Sequence, residues 1–240
     1  MKTTQGAAWA VSAADGFRLG RGCPYQPDWQ LSDTVIAAAE AALLPPVVPK
    51  TIIGAGRSYP APGVEVPDIP PVFAKLPASI IGPGQNVRAR PVFQSVMAEG
   101  ELVLVMGKTL RDASRQDAEN AIFGVSAGND VTGLPIDMER LLQIKAADGF
   151  GPVGPCIATG LDINTLDISI AVNGERIASG NTRDHAYGFG GLLSYISQYF
   201  TLEPGDIVFT GSPAIAPEVV PSDTMTVEVT GVGRLENSLL

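Results

Sequence analysis

The sequence predicts a mixed, β-rich α+β fold: a rolled or barrel-like sheet with few helices, preceded by a small N-terminal segment. Three observations predict it. Short strand-like apolar runs follow one another from residue 51 onward, Gly (27) and Pro (20) interrupt them often, and strands do not alternate with long helical patterns as in a βαβ series. No internal repeat is visible at a fixed period. The 240 residues suffice for one large domain or a small unit joined to a larger one, and 45% hydrophobic with 17% charged residues marks a globular chain.

Residues 1–49 form the preface. Apolar runs at 8–11 and 17–19 flank Asp15-Gly16, which reads as a short hairpin. Ser32 or Asp33 then caps a helix expected over 34–44, stopped by Pro45-Pro46. Residues 50–240 form the main unit. Ile52-Ile53 opens a strand that breaks at Gly54-Ala55-Gly56, and the proline-rich stretch 60–71 reads as an extended loop. A short strand at 72–75 follows, and another that ends in the turn Gly82-Pro83-Gly84.

Residues 101–106, Glu-Leu-Val-Leu-Val-Met, read as a strand closed by Gly107-Lys108. Ser114 caps a helix over 115–123, with Asp117 in the manner of a capping box and Gly124 at its end. The strands 167–172 and 175–178 meet at Asn173-Gly174, the favoured hairpin turn. Leu192, Leu193, Ile196, Tyr199 and Phe200 stand at helical spacing, so 192–200 reads as an amphipathic helix. Glu203-Pro204-Gly205-Asp206 turns the chain into a buried strand at 207–210, and 224–229 alternates as a half-buried strand.

The scarce residues exclude whole classes of function. One His (His185) and two Cys (Cys23, Cys156) rule out Cys₄, Cys₂His₂ and His₃ metal sites, so a metal must be held mainly by oxygen. A net charge of −9 supplies no footprint for nucleic acid. The apolar run 7–11 is too brief for a secretory signal, and Glu40 and the proline pair interrupt 35–48, so no membrane span is expected. Two distant cysteines suit free thiols in a reducing compartment, and the expected address is the cytoplasm.

The most suggestive polar cluster is Glu99-Gly100-Glu101. A strand has period two, so both carboxylates share a face, roughly 7 Å apart along the chain. They could converge on a hard cation, Mg²⁺ or Mn²⁺, if a third oxygen ligand came from elsewhere. On spacing alone, two solvated acids at a fraying strand end is the weightier reading. Asp130 is the candidate third ligand, beside the plain alternative of an Asn-Asp turn. Lys145 could bind a substrate carboxylate or enolate, or move a proton if burial lowered its pKa; a solvated loop lysine is the commoner outcome. Residues 211–214 could present hydroxyls and backbone N–H groups to an anion, or be a plain strand exit. His185 has no Gly-x-Ser-x-Gly elbow to serve and reads as a cap residue. Gly54-Ala55-Gly56 lacks the third glycine of a dinucleotide fingerprint, and Cys156 reads as packing.

Several motifs then coincide in order: Phe73-Ala74-Lys75 with 79–84, Glu99-Gly100-Glu101-Leu102 leading to Gly107-Lys108, Asn129-Asp130-Val131, and Lys145 through Asp148-Gly149-Phe150 to Pro155. Val172-Asn173-Gly174, Asn181-Thr182, 202–206, Thr210-Gly211-Ser212-Pro213 and Leu235-Glu236-Asn237 continue them. Over residues 50–240 the ordered set resembles the fumarylacetoacetate hydrolase superfamily, most of all the branch with 5-carboxymethyl-2-hydroxymuconate isomerase and 5-oxopent-3-ene-1,2,5-tricarboxylate decarboxylase.

The resemblance implies a mixed β-roll catalytic domain, commonly a homodimer, binding Mg²⁺ or Mn²⁺ through Glu99, Glu101 and Asp130. It puts the active-site lysine at Lys145 and substrate-binding groups at Arg57, Tyr59, Thr210 and Ser212. It further implies a small 2-oxo acid or 1,3-dicarbonyl substrate, chelated to the metal and activated as an enolate. Hydrolytic members carry Gly-Arg-Asn-Tyr followed by a His and a Glu on a lid helix. Here the segment is Gly56-Arg57-Ser58-Tyr59-Pro60-Ala61-Pro62; the His position holds Pro62, the prolines oppose a helix, and only Glu65 remains. The Arg-Asp expected after Asn-Asp-Val is replaced by Gly133-Leu134-Pro135, and the Gln expected before the lysine falls on Arg140 or Gln143. The expectation is therefore decarboxylation or keto–enol isomerisation. The alternatives are acylpyruvate-type C–C hydrolysis and a catalytically silent binding protein of the same fold.

Overall fold

The computed structural model describes every residue except Gln5, Pro62, Val64 and Ile215. Near the N-terminus β1 (Lys2–Thr3) pairs with β2 (Gly6–Ala7). A three-stranded antiparallel sheet follows, built of β3 (Ala10–Ala13), β4 (Gly16–Arg21) and β5 (Gln30–Ala37). The hairpin expected around Asp15-Gly16 is present, with Ala10 opposite Leu19 and Ala13 opposite Gly16. A side chain at Gly16 would strike Ile36 O, its φ being +147°.

The helix expected over 34–44 is absent. Val35 and Ile36 are instead paired with Arg18 and Phe17 of β4, and only Ala38–Glu40 makes a single 3-10 turn with no side-chain cap. Ala-rich sequence favours a helix weakly, and cross-strand pairing of two β-branched residues outweighs that preference.

The main unit contains β6 (Ile52–Ala55), β7 (Val72–Lys75), β8 (Ile80–Ile81), β9 (Ser95–Met97) and β10 (Gly100–Met106). It continues with α1 (Arg115–Glu119), β11 (Ile122–Asn129), β12 (Thr132–Leu134), α2 (Leu141–Ala146) and β13 (Gly151–Ala158). Next are β14 (Asp167–Val172), β15 (Glu175–Asn181), α3 (Phe189–Ser197) and β16 (Ile207–Phe209). The chain finishes with β17 (Glu218–Val219), β18 (Thr224–Val229) and β19 (Gly233–Ser238). Seven strands form a mixed sheet in the order β7-β6-β16-β10-β11-β13-β8, beside a four-stranded sheet β15-β14-β18-β19 and a small sheet β12-β9-β17. No described helix is long and apolar enough to cross a membrane.

Strand β10 explains the layout. Every one of its residues is buried. Leu102, Leu104 and Met106 enter the larger core with Val125, Ala127, Ile168, Ile170 and Val227. Val103 and Val105 turn the other way, onto Val153, Ile207 and Phe209. A strand covered on both faces reads as an unbroken apolar run, which is why 101–106 was plain in the sequence. Period two then puts Glu101 on the Val103 face, capping the smaller core.

Two helices differ from expectation at their ends. Ser114 does cap α1, its Oγ accepting from Asp117 N at 3.2 Å, but the helix stops at Glu119 rather than 123. Ile122–Asn129 is claimed by the ladder to β10, and Gly124 lies inside that strand, where a Cβ would sit 2.6 Å from Ala158 O. Helix α3 begins at Phe189 and buries Leu192, Leu193 and Ile196, while Tyr199 and Phe200 lie beyond it and are exposed. The β14–β15 turn has the two positive φ angles an Asn-Gly hairpin needs, 51° at Asn173 and 83° at Gly174.

Candidate functional site

The β10–β11 ladder brings the two acidic segments together. Gly100 lies opposite Asn129, Glu99 N donates to Asn129 Oδ1 at 2.9 Å, and Asp130 N donates to Glu99 O at 2.9 Å. Residues 31 apart in sequence thus become neighbours. Lys145, in the last turn of α2, places its Nζ between them, 2.5 Å from Glu99 Oε2 and 2.5 Å from Asp130 Oδ2. Thr132 Oγ1 donates to Glu99 Oε2 at 2.5 Å.

A second lysine completes the cluster. Lys75 closes β7 with a fully buried side chain, its Nζ 2.6 Å from Asp130 Oδ1 and donating to the carbonyls of Lys145 and Phe150. Sequence reasoning noted Lys75 only as part of a motif. The available signal was a lysine ending an apolar strand on the same face as Phe73. Glu101 is 2% exposed, and its Oε2 accepts from Gly211 N at 2.8 Å. The cluster opens outward only at Glu99 and Lys145, whose side chains are 19% and 12% exposed.

Charge accounts for the behaviour of each group. Burial alone would raise Asp130, but Lys145 and Lys75 together hold its carboxyl below the usual range. Burial would lower Lys145, and the Asp130 and Glu99 carboxylates more than reverse it. The condition under which Lys145 could move a proton, a pKa lowered by burial, is therefore not met here; Lys75 is the one lowered, by burial and by the Lys145 charge against the pull of Asp130. Glu101 is raised well above its usual value by burial and by the Asp130 and Glu99 charges. Glu99 is raised by burial against the pull of Lys145.

Three carboxylates face two ammonium groups, leaving one formal negative charge. Among the described residues Glu101 has no ion-pair partner, and Asp130 Oδ1 meets Lys75 without an aligned hydrogen bond. No three His, Cys, Asp or Glu side chains among the described residues stand in ready-made cation geometry, because Lys145 Nζ lies between Glu99 and Asp130. The donors nevertheless fit a hard divalent ion: they are oxygen only, buried, and short of positive charge.

The opposite wall is built from 56–59 and 210–212. Thr210 is fully buried, and both its N–H and its Oγ1 donate to Leu102 O, at 3.2 and 2.9 Å. Ser212 Oγ donates to Ala214 O at 3.1 Å. The hydroxyls expected to meet substrate are thus engaged by the backbone, and the Gly211 N–H serves Glu101. Arg57 is exposed, with a left-handed φ of 47°, whereas Tyr59 is buried. Tyr59 Oη has no hydrogen-bond partner among the described residues. Burial raises its pKa, with the nearby Thr210 hydroxyl opposing and the Glu101 and Asp184 charges adding. Glu65 lies exposed on a loop without helix, and Pro62 falls outside the described residues.

His185 is more than the cap the sequence suggested. It follows the 3-10 turn Thr182–Asp184, and its ring packs against Tyr59, Tyr187 and Phe189. Its Nε2 lies 3.2 Å from Thr210 O, a contact only an N–H can satisfy, which leaves Nδ1 as a buried acceptor without a donor among the described residues. Burial pushes its pKa down to about 4.

Comparison with known proteins supplies the remaining finding. Residues 51–240 match the family model described as fumarylacetoacetate (FAA) hydrolase C-terminal. A 4-hydroxyphenylacetate degradation bifunctional isomerase/decarboxylase from Salmonella dublin is 32% identical over 243 residues, a match spanning 96% of this chain and 56% of that protein. Among solved structures, a 2-hydroxyhepta-2,4-diene-1,7-dioate isomerase from Mycobacterium marinum superposes with a TM-score of 0.91 at 27% identity, over 100% of this chain and 96% of its own. A maleylpyruvate hydrolase from a Sphingobium species, solved with manganese(II) and pyruvate, superposes with a TM-score of 0.80 at 26% identity, over 97% and 96% of the two chains.

Proposed function

The chain belongs to the fumarylacetoacetate hydrolase family and is an enzyme of that superfamily, and on that premise we propose that it acts on a small 2-oxo acid through the substrate's enol form, by decarboxylation or keto–enol isomerisation. The observation that carries this reading is the Glu99–Asp130–Lys145–Lys75 cluster with Glu101 beside it: a buried, net negative site whose acidic donors are all oxygen and which opens outward at Glu99 and Lys145.

Glu99, Glu101 and Asp130 are the residues that would hold Mg²⁺ or Mn²⁺; the neighbour solved with manganese(II) and pyruvate supports a divalent ion of this kind. Such an ion, when bound, supplies Lewis-acid polarisation of the oxo and carboxylate oxygens. Lys145 stands at the mouth, where its ammonium group can receive a substrate carboxylate or hold a proton near the reacting carbon. Arg57 and Tyr59 are assigned to the distal end of the substrate. Their side chains, unlike those of Thr210 and Ser212, make no hydrogen bond to the backbone among the described residues.

Hydrolysis would need a base for water, and at the cluster's mouth the described residues supply only Glu99, which is assigned to the metal. The single histidine is buried behind Thr210 with Nε2 engaged, and Glu65 is on an exposed loop. The homodimer implied by the resemblance and the cytoplasmic address expected from the two distant cysteines belong to the same proposal; sedimentation equilibrium reads the first.

The test is turnover of oxaloacetate and of an acylpyruvate by purified protein with Mg²⁺ or Mn²⁺. Oxaloacetate should be ketonised or decarboxylated, and Lys145→Ala should lower kcat by about 10²-fold or more. Acylpyruvate cleavage with oxaloacetate untouched would overturn the reading in favour of hydrolysis. No turnover, with no Mn²⁺-induced rise in Tm, would indicate a silent binding protein.

A further inference from the structure

Three consecutive residues join the two segments that build the wall opposite the acid cluster. His185 Nε2 donates to Thr210 O at 3.2 Å, Ala186 N donates to Ser58 O at 2.9 Å, and Tyr187 Oη donates to Pro67 O at 2.6 Å. The two segments also touch directly: a Cβ on Gly211 would lie 3.0 Å from Ser58 Cβ. Residues 185–187 are themselves held at both ends. Upstream, Thr182 is buried, its N–H donating to Leu166 O and its Oγ1 accepting from Leu166 N. Downstream, Gly188 N donates to His185 O and opens α3, which is packed into the core through Leu192, Leu193 and Ile196.

We propose that His185 and Tyr187 are positioning residues that clamp the 57–67 loop against the 210–212 turn and so fix the position of the wall that faces the acid cluster. The anchored side of this clamp is the core; the held side is the proline-rich loop between β6 and β7, in which no described residue belongs to a strand. Each clamp contact falls on a backbone carbonyl, so it fixes where the chain runs whatever the side chains do. His185 fixes the Thr210-Gly211 peptide, whose N–H meets Glu101. Tyr187 fixes the far end of the loop that carries Arg57 and Tyr59. The unpaired His185 Nδ1 and Tyr59 Oη lie on the same wall, one a buried acceptor and one a buried hydroxyl. The clamp therefore bears on which 2-oxo acid fits, and this part rests on the function proposed above.

Hydrogen exchange and kinetics test it together. In Tyr187→Phe, exchange across 57–70 should rise about fivefold, as loss of one hydrogen bond allows, while that of Gly100–Met106 stays unchanged. KM for oxaloacetate should rise several-fold with kcat within twofold. His185→Leu should loosen 210–212 in the same way, and His185→Gln, which keeps a donor for Thr210 O, should restore it. Unchanged exchange in Tyr187→Phe, or a fall in kcat at constant KM, would overturn the clamp. Exchange needs no substrate, so faster exchange in variants of a protein that turns nothing over would defeat the proposed reaction and leave the clamp standing.

Discussion

The acid–lysine cluster and the His185–Tyr59 wall are both buried, but their polar atoms are satisfied in different ways. In the cluster Asp130 faces two ammonium groups and Lys75 faces a carboxylate and two carbonyls. In the wall, Tyr59 Oη and His185 Nδ1 have no partner among the described residues. An unpaired buried charge costs several kcal/mol, whereas an unpaired hydroxyl or imidazole nitrogen costs about 1–3 kcal/mol. Asp130 and the two lysines are therefore matched within the fold, Glu101 keeps only the Gly211 N–H and is raised well above its usual value, and the neutral groups of the wall can be left for a ligand or water. The cluster is the fixed half of the pocket, and the wall is its adjustable half.

Removing a charge from the fixed half should have the largest effect on stability. Lys75→Met leaves Asp130 with one ammonium partner and two carbonyls without their donor. We expect a loss of about 3–5 kcal/mol, read as a lower midpoint in guanidinium unfolding at unchanged slope. A change under about 1 kcal/mol would break the comparison, since it would mean that the cluster relaxes as readily as the wall.

The same contrast governs what could be read from the sequence. Strand β10 was legible because burial on both faces leaves an unbroken apolar run, and the 173–174 turn because Asn-Gly carries its own backbone preference. Period two put Glu99 and Glu101 on one face, but spacing alone favoured two solvated acids, and it took the family resemblance to make them candidate ligands. Lys75 was not, because its burial arises from contacts with residues 130, 145 and 150, some 55 to 75 positions away. The commitment of the Thr210 hydroxyl was hidden likewise, its acceptor lying 108 positions off at Leu102. Residues 34–44 misled for the opposite reason: local helix preference was visible there, and the pairing of β5 with β4 that overrides it was not.

His185 sharpens the comparison through pH. Its ring takes a proton near pH 6.5 when unfolded and only at about 4 when folded, because burial disfavours the charged form. Between those values the unfolded chain binds more protons, so this contribution is intact above pH 6.5 and is lost as pH falls toward 4, by up to about 3 kcal/mol. His185→Gln cannot titrate. Its stability relative to wild type should therefore improve as pH drops from 7 to 4, in paired denaturation curves. A parallel pH dependence for the two proteins would show that the ring is not protected from solvent, and the wall would not be buried as described.

The smallest effect belongs to Thr132, where the two principles meet in one side chain. Thr132 is 1% exposed and neutral, yet its Oγ1 donates to a charged acceptor, Glu99 Oε2, at 2.5 Å. Thr132→Val keeps the shape and removes the donor. Hydrogen bonds to charged groups contribute about 1.5–3 kcal/mol, but Glu99 keeps Lys145 as a partner and the new methyl is buried, so a net loss of about 1 kcal/mol is expected. The accompanying shift matters more than its size. With one donor fewer, Glu99 should bind protons more readily, and the Mn²⁺ concentration giving half the maximal rise in Tm should increase at pH 6 more than at pH 8. If the increase is equal at both pH values, the threonine serves packing alone, and the boundary between the fixed and adjustable halves lies elsewhere.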